Sequence, residues 1–220
     1  MTVDPAVILD HLPAIGAAVL TTVSLWSLAL VAALALGLLI ATARHVGGPV
    51  LNYGLGTLVQ IVRGVPFLVQ VFLLYFGGPS VGLLLEQFTA GLLALSLFGG
   101  CYMSEVFRTG FLAVPPGHVE AAACVGLTRS QTLRRVMIPE MLVLVLPAAT
   151  NIAIGLIKET AVLSVISVPE LTGVVSGIGS ETYAFVEALF TLSLLYWALV
   201  ELCSRAGRGL ERRLARFSFA

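Results

Sequence analysis

Read only for polarity, the chain is a series of long apolar runs divided by short polar breaks. From His11 to Thr42 it carries no Asp, Glu, Lys or Arg. A first span over about residues 16–42 is therefore long enough to cross a bilayer core, which takes about 20 apolar residues as a helix; Arg44 and His45 close it. A second run, about 54–77, is interrupted early by Arg63-Gly-Val-Pro66 and ends at a Gly-Gly-Pro-Ser turn. The third, about 88–107, stops at Arg108 and the helix-breaking Pro115-Pro116. After Pro139 a fourth covers about 141–157, closed by Lys158 and Glu159, and a fifth covers about 183–202.

The pattern predicts an all-α integral membrane protein with five transmembrane helices, forming a single transmembrane domain over residues 1–220. A polar helix-turn-helix loop at about 115–138 separates spans three and four, and a basic tail, 203–220, follows span five. An odd number of spans places the termini on opposite faces. The segments before span one, between two and three, and between four and five hold one Lys or Arg among them, Lys158. Arg44, Arg108, Arg129, Arg134, Arg135 and the tail arginines at 205, 208, 212, 213 and 216 all fall on the other face. The positive-inside bias makes that face cytoplasmic, with the N-terminus outside and the C-terminus and polar loop inside. The first residues lack the basic n-region of a signal peptide and carry Asp4 and Asp10, which predicts a retained interfacial segment.

Composition agrees with the pattern. The 220 residues are 58% hydrophobic and 11% charged, with mean hydropathy +1.02, far from the roughly 25% charged content of soluble domains. The formal net charge is zero, so no nucleic-acid partner is indicated and the lipid bilayer is the dominant environment. Cys101, Cys124 and Cys203 have no metal-ligand or disulfide spacing and read as packing residues.

The passage EAAACVGLTRSQTLRRVMIPE, residues 120–140, is the one extended polar stretch between apolar blocks. Pro115 and Pro116 suit a helix start, and Glu120 near that start complements the helix dipole. Ala121, Ala122 and Ala123 favour helix while leaving almost no side-chain bulk. Gly126 can terminate it in the left-handed conformation, and Thr128 with Gln131 has the spacing of a capping box opening a second helix. Leu133, Val136 and Met137 would give that helix an apolar stripe, with Arg129, Arg134 and Arg135 facing outward. Pro139 then marks the bend into span four. From spacing alone, an amphipathic connector anchored on lipid headgroups remains an alternative.

Glu120-Ala-Ala, Gly126, the arginines and Pro139 resemble the EAA loop of permease subunits in ATP-binding cassette importers. RGVPFLVQVFLLYFG (63–77), SEVFRTG (104–110), KET (158–160) and SVPEL (167–171) are similar to segments of its polar amino-acid branch. The resemblance implies an inner-membrane permease of a bacterium, paired with a second copy or a paralogue. It implies docking of cytoplasmic ATPase subunits on Glu120, Ala121, Ala122 and Gly126, and delivery of cargo by an extracytoplasmic substrate-binding protein. Phe98 and the FGGPS turn depart from that pattern.

Chemistry of other kinds is missing. The single lysine, Lys158, follows Ile157 rather than a glycine-rich turn, so no phosphate-binding loop exists. ATP and magnesium belong to the partner ATPase, and this chain is expected to hold no cofactor and no metal. His11, His45 and His118 lie on separate segments and nominate no catalytic residue. Candidate pathway or gate residues are Arg63, Gln70, Glu105, Asn151, Lys158 and Glu159, because ionisable and amide groups within spans face cavities or one another. Glu105 with Arg108, and Glu201 with Arg205, also have the spacing of plain helix-surface pairs. An ion-coupled secondary carrier or channel is the rival expectation.

Overall fold

In the computed structural model, residues 6–218 are described, and they form helices and turns with no strand among them. Asp4 and the side chain of Arg216 lie outside the described residues, as does the start of the expected interfacial segment. A short α1 (Ala6–Asp10) precedes α2 (Leu12–Val46), α3 (Pro49–Gly64), α4 (Phe67–Tyr75), α5 (Gln87–Ala113) and α6 (Pro116–Cys124). Then come α7 (Arg129–Thr132), α8 (Ile138–Glu159), α9 (Leu171–Thr182) and α10 (Phe185–Ser218). Four helical stretches are long and apolar enough to cross a membrane, or five if the bent pair α3 and α4 counts as one.

In lipid, apolar side chains gain nothing by leaving solvent, so helix association depends on close packing and interhelical hydrogen bonds. The sequence supplies small residues where helices meet. Along α2, Ala18, Thr22, Leu25, Ala29, Ala33, Gly37 and Ala41 are buried, most of them four residues apart and so on one helix face. That face lies against α5 where Gly99 and Gly100 sit. A Cβ on Gly37 would lie 2.6 Å from Met103 Cβ and 2.9 Å from the Ser104 backbone nitrogen, and one on Gly99 would lie 2.9 Å from Ala33 Cβ. The matched order of these contacts makes α2 and α5 parallel. Gly91 against Leu163, Gly99 against Leu156 and Gly110 against Met141 and Val145 make α8 antiparallel to α5. Helix α10 runs antiparallel to α8, with Gly207 beside Thr150.

The interruption expected in the second span is a sharp one: α3 and α4 meet at a 99° bend at Val65-Pro66, because Pro66 has no backbone N–H to continue the helix. Two expectations need correction. Pro139 marks no bend, since it lies in the first turn of α8, where a missing N–H costs little. The helix opened by Thr128 instead runs through a π segment, Leu133–Met137, straight into α8. The basic tail is likewise no separate element but the continuation of α10.

Between α8 and α9, residues Thr160–Ile166 form a tight 3-10 turn and Ser167 takes a left-handed conformation, φ 62°. Helix α9 then folds back against α10 around a second left-handed residue, Tyr183. Every buried side-chain nitrogen and oxygen among the described residues has a hydrogen-bond partner, as a bilayer interior demands.

The α2–α5 seam has a direct test. Gly37→Leu is expected to destabilise the protein by about 1–3 kcal/mol, the typical cost of overpacking a close interface. A lowered thermal unfolding midpoint in detergent or nanodiscs checks it, with Gly16→Ala, where a Cβ meets nothing within 4 Å, as the neutral control.

Candidate functional site

The polar loop between α5 and α8 is built from local signals. Helix α6 begins after Pro115, and Glu120 falls one turn beyond its start rather than in its first turn, which contains no acidic residue. The helix closes with the Leu127 N–H donating to Ala122 O (3.1 Å) and the Gly126 N–H to Ala123 O (3.0 Å). This reciprocal pair is the Schellman arrangement, which needs a left-handed residue, and Gly126 supplies it at φ 78°. One residue later the capping box is complete. The Thr128 N–H donates to Gln131 Oε1 (2.8 Å), and the Gln131 N–H donates to Thr128 Oγ1 (3.4 Å).

Of the loop residues singled out in the sequence, Ala122 is buried, on a helix that packs against α7 and the Leu133–Met137 segment, while Glu120, Ala121 and Gly126 are exposed. The exposed face of α6 also carries Ala123 and Cys124, so Cys124 is not the packing residue expected; Cys101 is buried and Cys203 half-buried. His118 Nδ1 lies 2.9 Å from both carboxylate oxygens of Glu140 and so links α6 to the start of α8.

A charge network ties the neighbouring helix ends together. Arg44, at the end of α2, donates from Nη1 to Glu105 Oε1 and from Nε to Asn52 Oδ1 on α3 (3.2 Å). Arg108 donates from Nε (3.0 Å) and Nη2 (2.9 Å) to the other Glu105 oxygen. Glu105 thus bridges two guanidinium groups. The 108 partner is visible from its i,i+3 spacing, whereas the Arg44 partner, 61 residues away, is not. Beside the network, His45 stacks on Phe111 with ring centroids 4.9 Å apart.

The remaining pathway candidates separate. Gln70 works inside its own segment: its amide donates to Val62 O (2.7 Å) and Val65 O (2.8 Å), satisfying carbonyls that the α3–α4 break leaves free. Arg63 stands over the Tyr102 ring, its guanidinium carbon 4.8 Å from the centroid, and lines a cavity of about 430 Å³ together with Glu105. Asn151 and Lys158 are exposed on α8 and Glu159 is half-buried at its end; none of the three lines the Arg63 cavity. Glu201 accepts from Arg205 Nε (2.8 Å), as its spacing suggests, and also from Arg208 Nη2 (3.2 Å).

A further acid, Glu170, lies in the SVPEL segment. Glu170 is fully buried and caps α9, accepting from the N–H of Thr172 (2.8 Å) and of Gly173 (2.6 Å). The Tyr196 hydroxyl on α10 donates to it (3.0 Å). The next backbone N–H, Leu171, donates to Thr22 Oγ1 on α2 (3.0 Å). An acid just ahead of a helix is a visible N-cap signal; its partners 26 and 149 residues distant are not.

The described residues form an α-helical bundle with an exposed loop helix, α6, and a half-open cavity in which Arg63, Tyr102, Glu105 and Thr109 stand among apolar side chains, the build of a multi-pass membrane component. Residues 33–216 match the family described as binding-protein-dependent transport system inner membrane component. The L-cystine transport system permease protein TcyB of Bacillus subtilis (strain 168) is 32% identical over 210 residues, covering 93% of this chain and 88% of that protein. The probable glutamine ABC transporter permease protein GlnP of the same organism is 30% identical over 207 residues, covering 93% and 95%. A crystal structure of an amino acid ABC transporter with histidines superposes with TM-score 0.88 at 32% identity, covering 97% of this chain and 100% of that one. The inward-facing MetNI methionine ABC transporter, TM-score 0.78 at 22% identity, shares the fold. The chain belongs to the family of binding-protein-dependent transport system inner membrane components: it is a multi-pass permease.

Glu170→Ala is expected to cost about 1–3 kcal/mol, because it leaves buried donors unsatisfied. Accelerated proteolysis between α8 and α10 and a lower unfolding midpoint check it, and Glu170→Gln, which keeps one acceptor, falls between the alanine variant and the parent.

Proposed function

We propose that the chain is the permease subunit of an ATP-driven importer for polar amino acids or similar small zwitterions. It forms the translocation pathway with a second copy or a paralogue. Helix α6 docks on cytoplasmic ATP-binding cassette ATPase subunits, which hold ATP and magnesium, and an extracytoplasmic substrate-binding protein delivers cargo to the opposite face. The N-terminus is outside, and the loop and C-terminus are inside.

The observation that carries this reading is the construction of the loop. One face of α6 is pinned by Ala122, while Glu120, Ala121 and Ala123 stand free, and both flanks are fixed by complete capping motifs. A connector resting on lipid would turn large apolar side chains outward along its length. On α6 itself the exposed side chains are small around the Glu120 carboxylate, with Val125 exposed just past the helix end, a surface suited to a close-fitting protein groove. The names of the cystine, glutamine and arginine permeases among its relatives support the amino-acid cargo. Family membership favours this importer over an ion-coupled carrier.

In the mechanism, nucleotide-driven closure of the ATPase pair draws the two α6 knobs together. Because α7 continues into α8, the movement passes directly to a membrane-crossing helix and reorients the pathway. This chain contributes no covalent chemistry.

Two substitutions test the coupling role. Gly126→Val imposes a left-handed backbone on a branched residue, a local strain of about 1–2 kcal/mol, and Glu120→Arg reverses the exposed charge. Each is expected to lower ATP-dependent uptake in proteoliposomes by about tenfold, a loss of about 1.4 kcal/mol in coupling, while ATP hydrolysis becomes independent of the loaded binding protein. The substrate panel is the twenty radiolabelled protein amino acids and L-cystine. Uptake that stops with vanadate and persists with a proton ionophore fits the proposal; full coupling in both variants overturns the role of α6.

A further inference from the structure

Arg63 is an arginine within a membrane-crossing segment, at the last turn of α3 before the 99° bend. A guanidinium at such depth is costly unless it faces water, a partner or a ligand. Among the described residues no carboxylate is paired with it; its side chain is exposed, with the face of Tyr102 beside it. Tyr102 lies near the middle of α5, and Ile152, across the same cavity, lies near the middle of α8. From there the cavity extends past Thr109 and Leu144 to Ala113, the last residue of α5 and close to the α6 loop. Arg63 therefore sits at the inner apex of a vestibule that opens toward the loop end.

The charges around this vestibule do not cancel. Glu105, the acid in its lining, already has one oxygen on Arg44 and the other on Arg108. Arg44, Glu105 and Arg108 together carry one net positive charge, and Arg63 adds a second. The helix break adds to the same sign. Helix α4 starts at Phe67, directly after the bend, so its free N–H groups and positive dipole end lie beside Arg63 in the chain. The opposing, negative end of α3 is quenched, because the Gln70 amide occupies the carbonyls of Val62 and Val65. Discontinuous membrane helices of this kind present a half-helix N-terminus to anionic groups of a substrate.

We infer that Arg63, stacked on Tyr102 at the α3–α4 break, is the receptor for the carboxylate group of the cargo in the pathway. Guanidinium and carboxylate are matched for a two-point, charge-assisted hydrogen bond. Arg63 and Tyr102 both line the cavity, with the guanidinium carbon 4.8 Å from the ring centroid, and at about 430 Å³ the cavity has room for a small amino acid. Glu105, with both oxygens engaged, keeps the flanking arginines from competing for the cargo. The inference deepens the amino-acid reading above and rests on it.

The test measures equilibrium binding to the complex of permease and ATPase in nanodiscs, without the binding protein, so that the latter's selectivity does not enter. The probes are the labelled L-amino acids that the parent protein takes up, each compared with its primary amide, in which the carboxylate is replaced by a neutral group. The parent is expected to prefer acid over amide by about tenfold or more, as for loss of one charge-assisted pair. Arg63→Gln abolishes the preference, Arg63→Lys retains part of it by keeping the charge without the fork, and Tyr102→Leu reduces it. Gel filtration of each complex confirms assembly before binding is read. Equal binding of acid and amide by the parent, no detectable binding by the parent at millimolar probe, or a preference that survives in Arg63→Gln overturns the inference. If uptake of amino acids proceeds while any of these holds, the importer reading stands and only the role of Arg63 falls; if the parent takes up no amino acid, both fall.

Discussion

The structure depends on backbones coming close together where no hydrophobic force drives them. In a bilayer a leucine is as well solvated by lipid tails as by another helix, so the bundle is held by dispersion contacts and by hydrogen bonds between helices. The seam of α2 and α5 shows the consequence. Ala29, Ala33, Gly37 and Ala41 on one side and Gly99 and Gly100 on the other leave no space for even one added methyl group at Gly37. The same device recurs at Gly110 against α8, at Gly91 against Leu163 in the turn that follows α8, and at Gly207 against Thr150. Small residues thus set the interhelical distances, and the interhelical polar bonds then fix register: Trp26 Nε1 donates to Ala153 O on α8 (2.9 Å), and Thr22 accepts the Leu171 N–H.

Close packing of this kind fixes what the polar groups can do. Where a helix is regular, its hydroxyls turn back on the preceding turn, as Ser96 does on Leu92 O and Thr150 on Leu146 O, at little cost to the bundle. Where the helix is broken, another group must stand in for the missing ladder. Gln70 does so at the α3–α4 bend, and Glu170 does so at the start of α9. These two side chains have opposite chemistry for a physical reason: the end of α3 exposes acceptors and needs a donor, whereas the start of α9 exposes donors and needs an acceptor.

What could be read from the amino-acid sequence follows the range of the interaction. Gly126 and the Thr128–Gln131 box were legible because a cap is decided by residues three to six apart. The apolar runs were legible because bilayer thickness imposes their length. The severity of the bend at Val65-Pro66 was not. A proline announces an interruption, but a 99° turn is stable only with Gln70 satisfying the freed carbonyls and Phe67 packed on Phe98, ring centroids 5.0 Å apart. Pro139 was misread as a bend for the complementary reason: in the first turn of a helix a proline breaks nothing. The Arg44 partner of Glu105 and the Tyr196 partner of Glu170 were invisible, since each pairing exists only after parallel or antiparallel helices have settled their register.

The connection between the loop and the membrane domain has a mechanical consequence. Helix α6 is joined to α5 by Val114-Pro115, a joint with extended backbone at both residues, and to α7 by the left-handed turn at Gly126. From Arg129 to Ile166, by contrast, the chain is a single helical stretch. A load applied to α6 meets a joint on the α5 side but acts on a continuous rod on the α8 side. The His118–Glu140 contact ties the knob to that rod a second time. The place where the rod can yield is the π segment Leu133–Met137, since a π turn carries an extra residue in its ring and sits in a poorer geometry than the α turns around it. Under the proposed coupling role, a displacement of α6 therefore acts on α8 directly and on α5 through the Val114-Pro115 joint, and the cavity face formed by Leu144, Val145, Ala148 and Ile152 lies on the helix that receives it, opposite the face that carries Arg63, Tyr102 and Glu105.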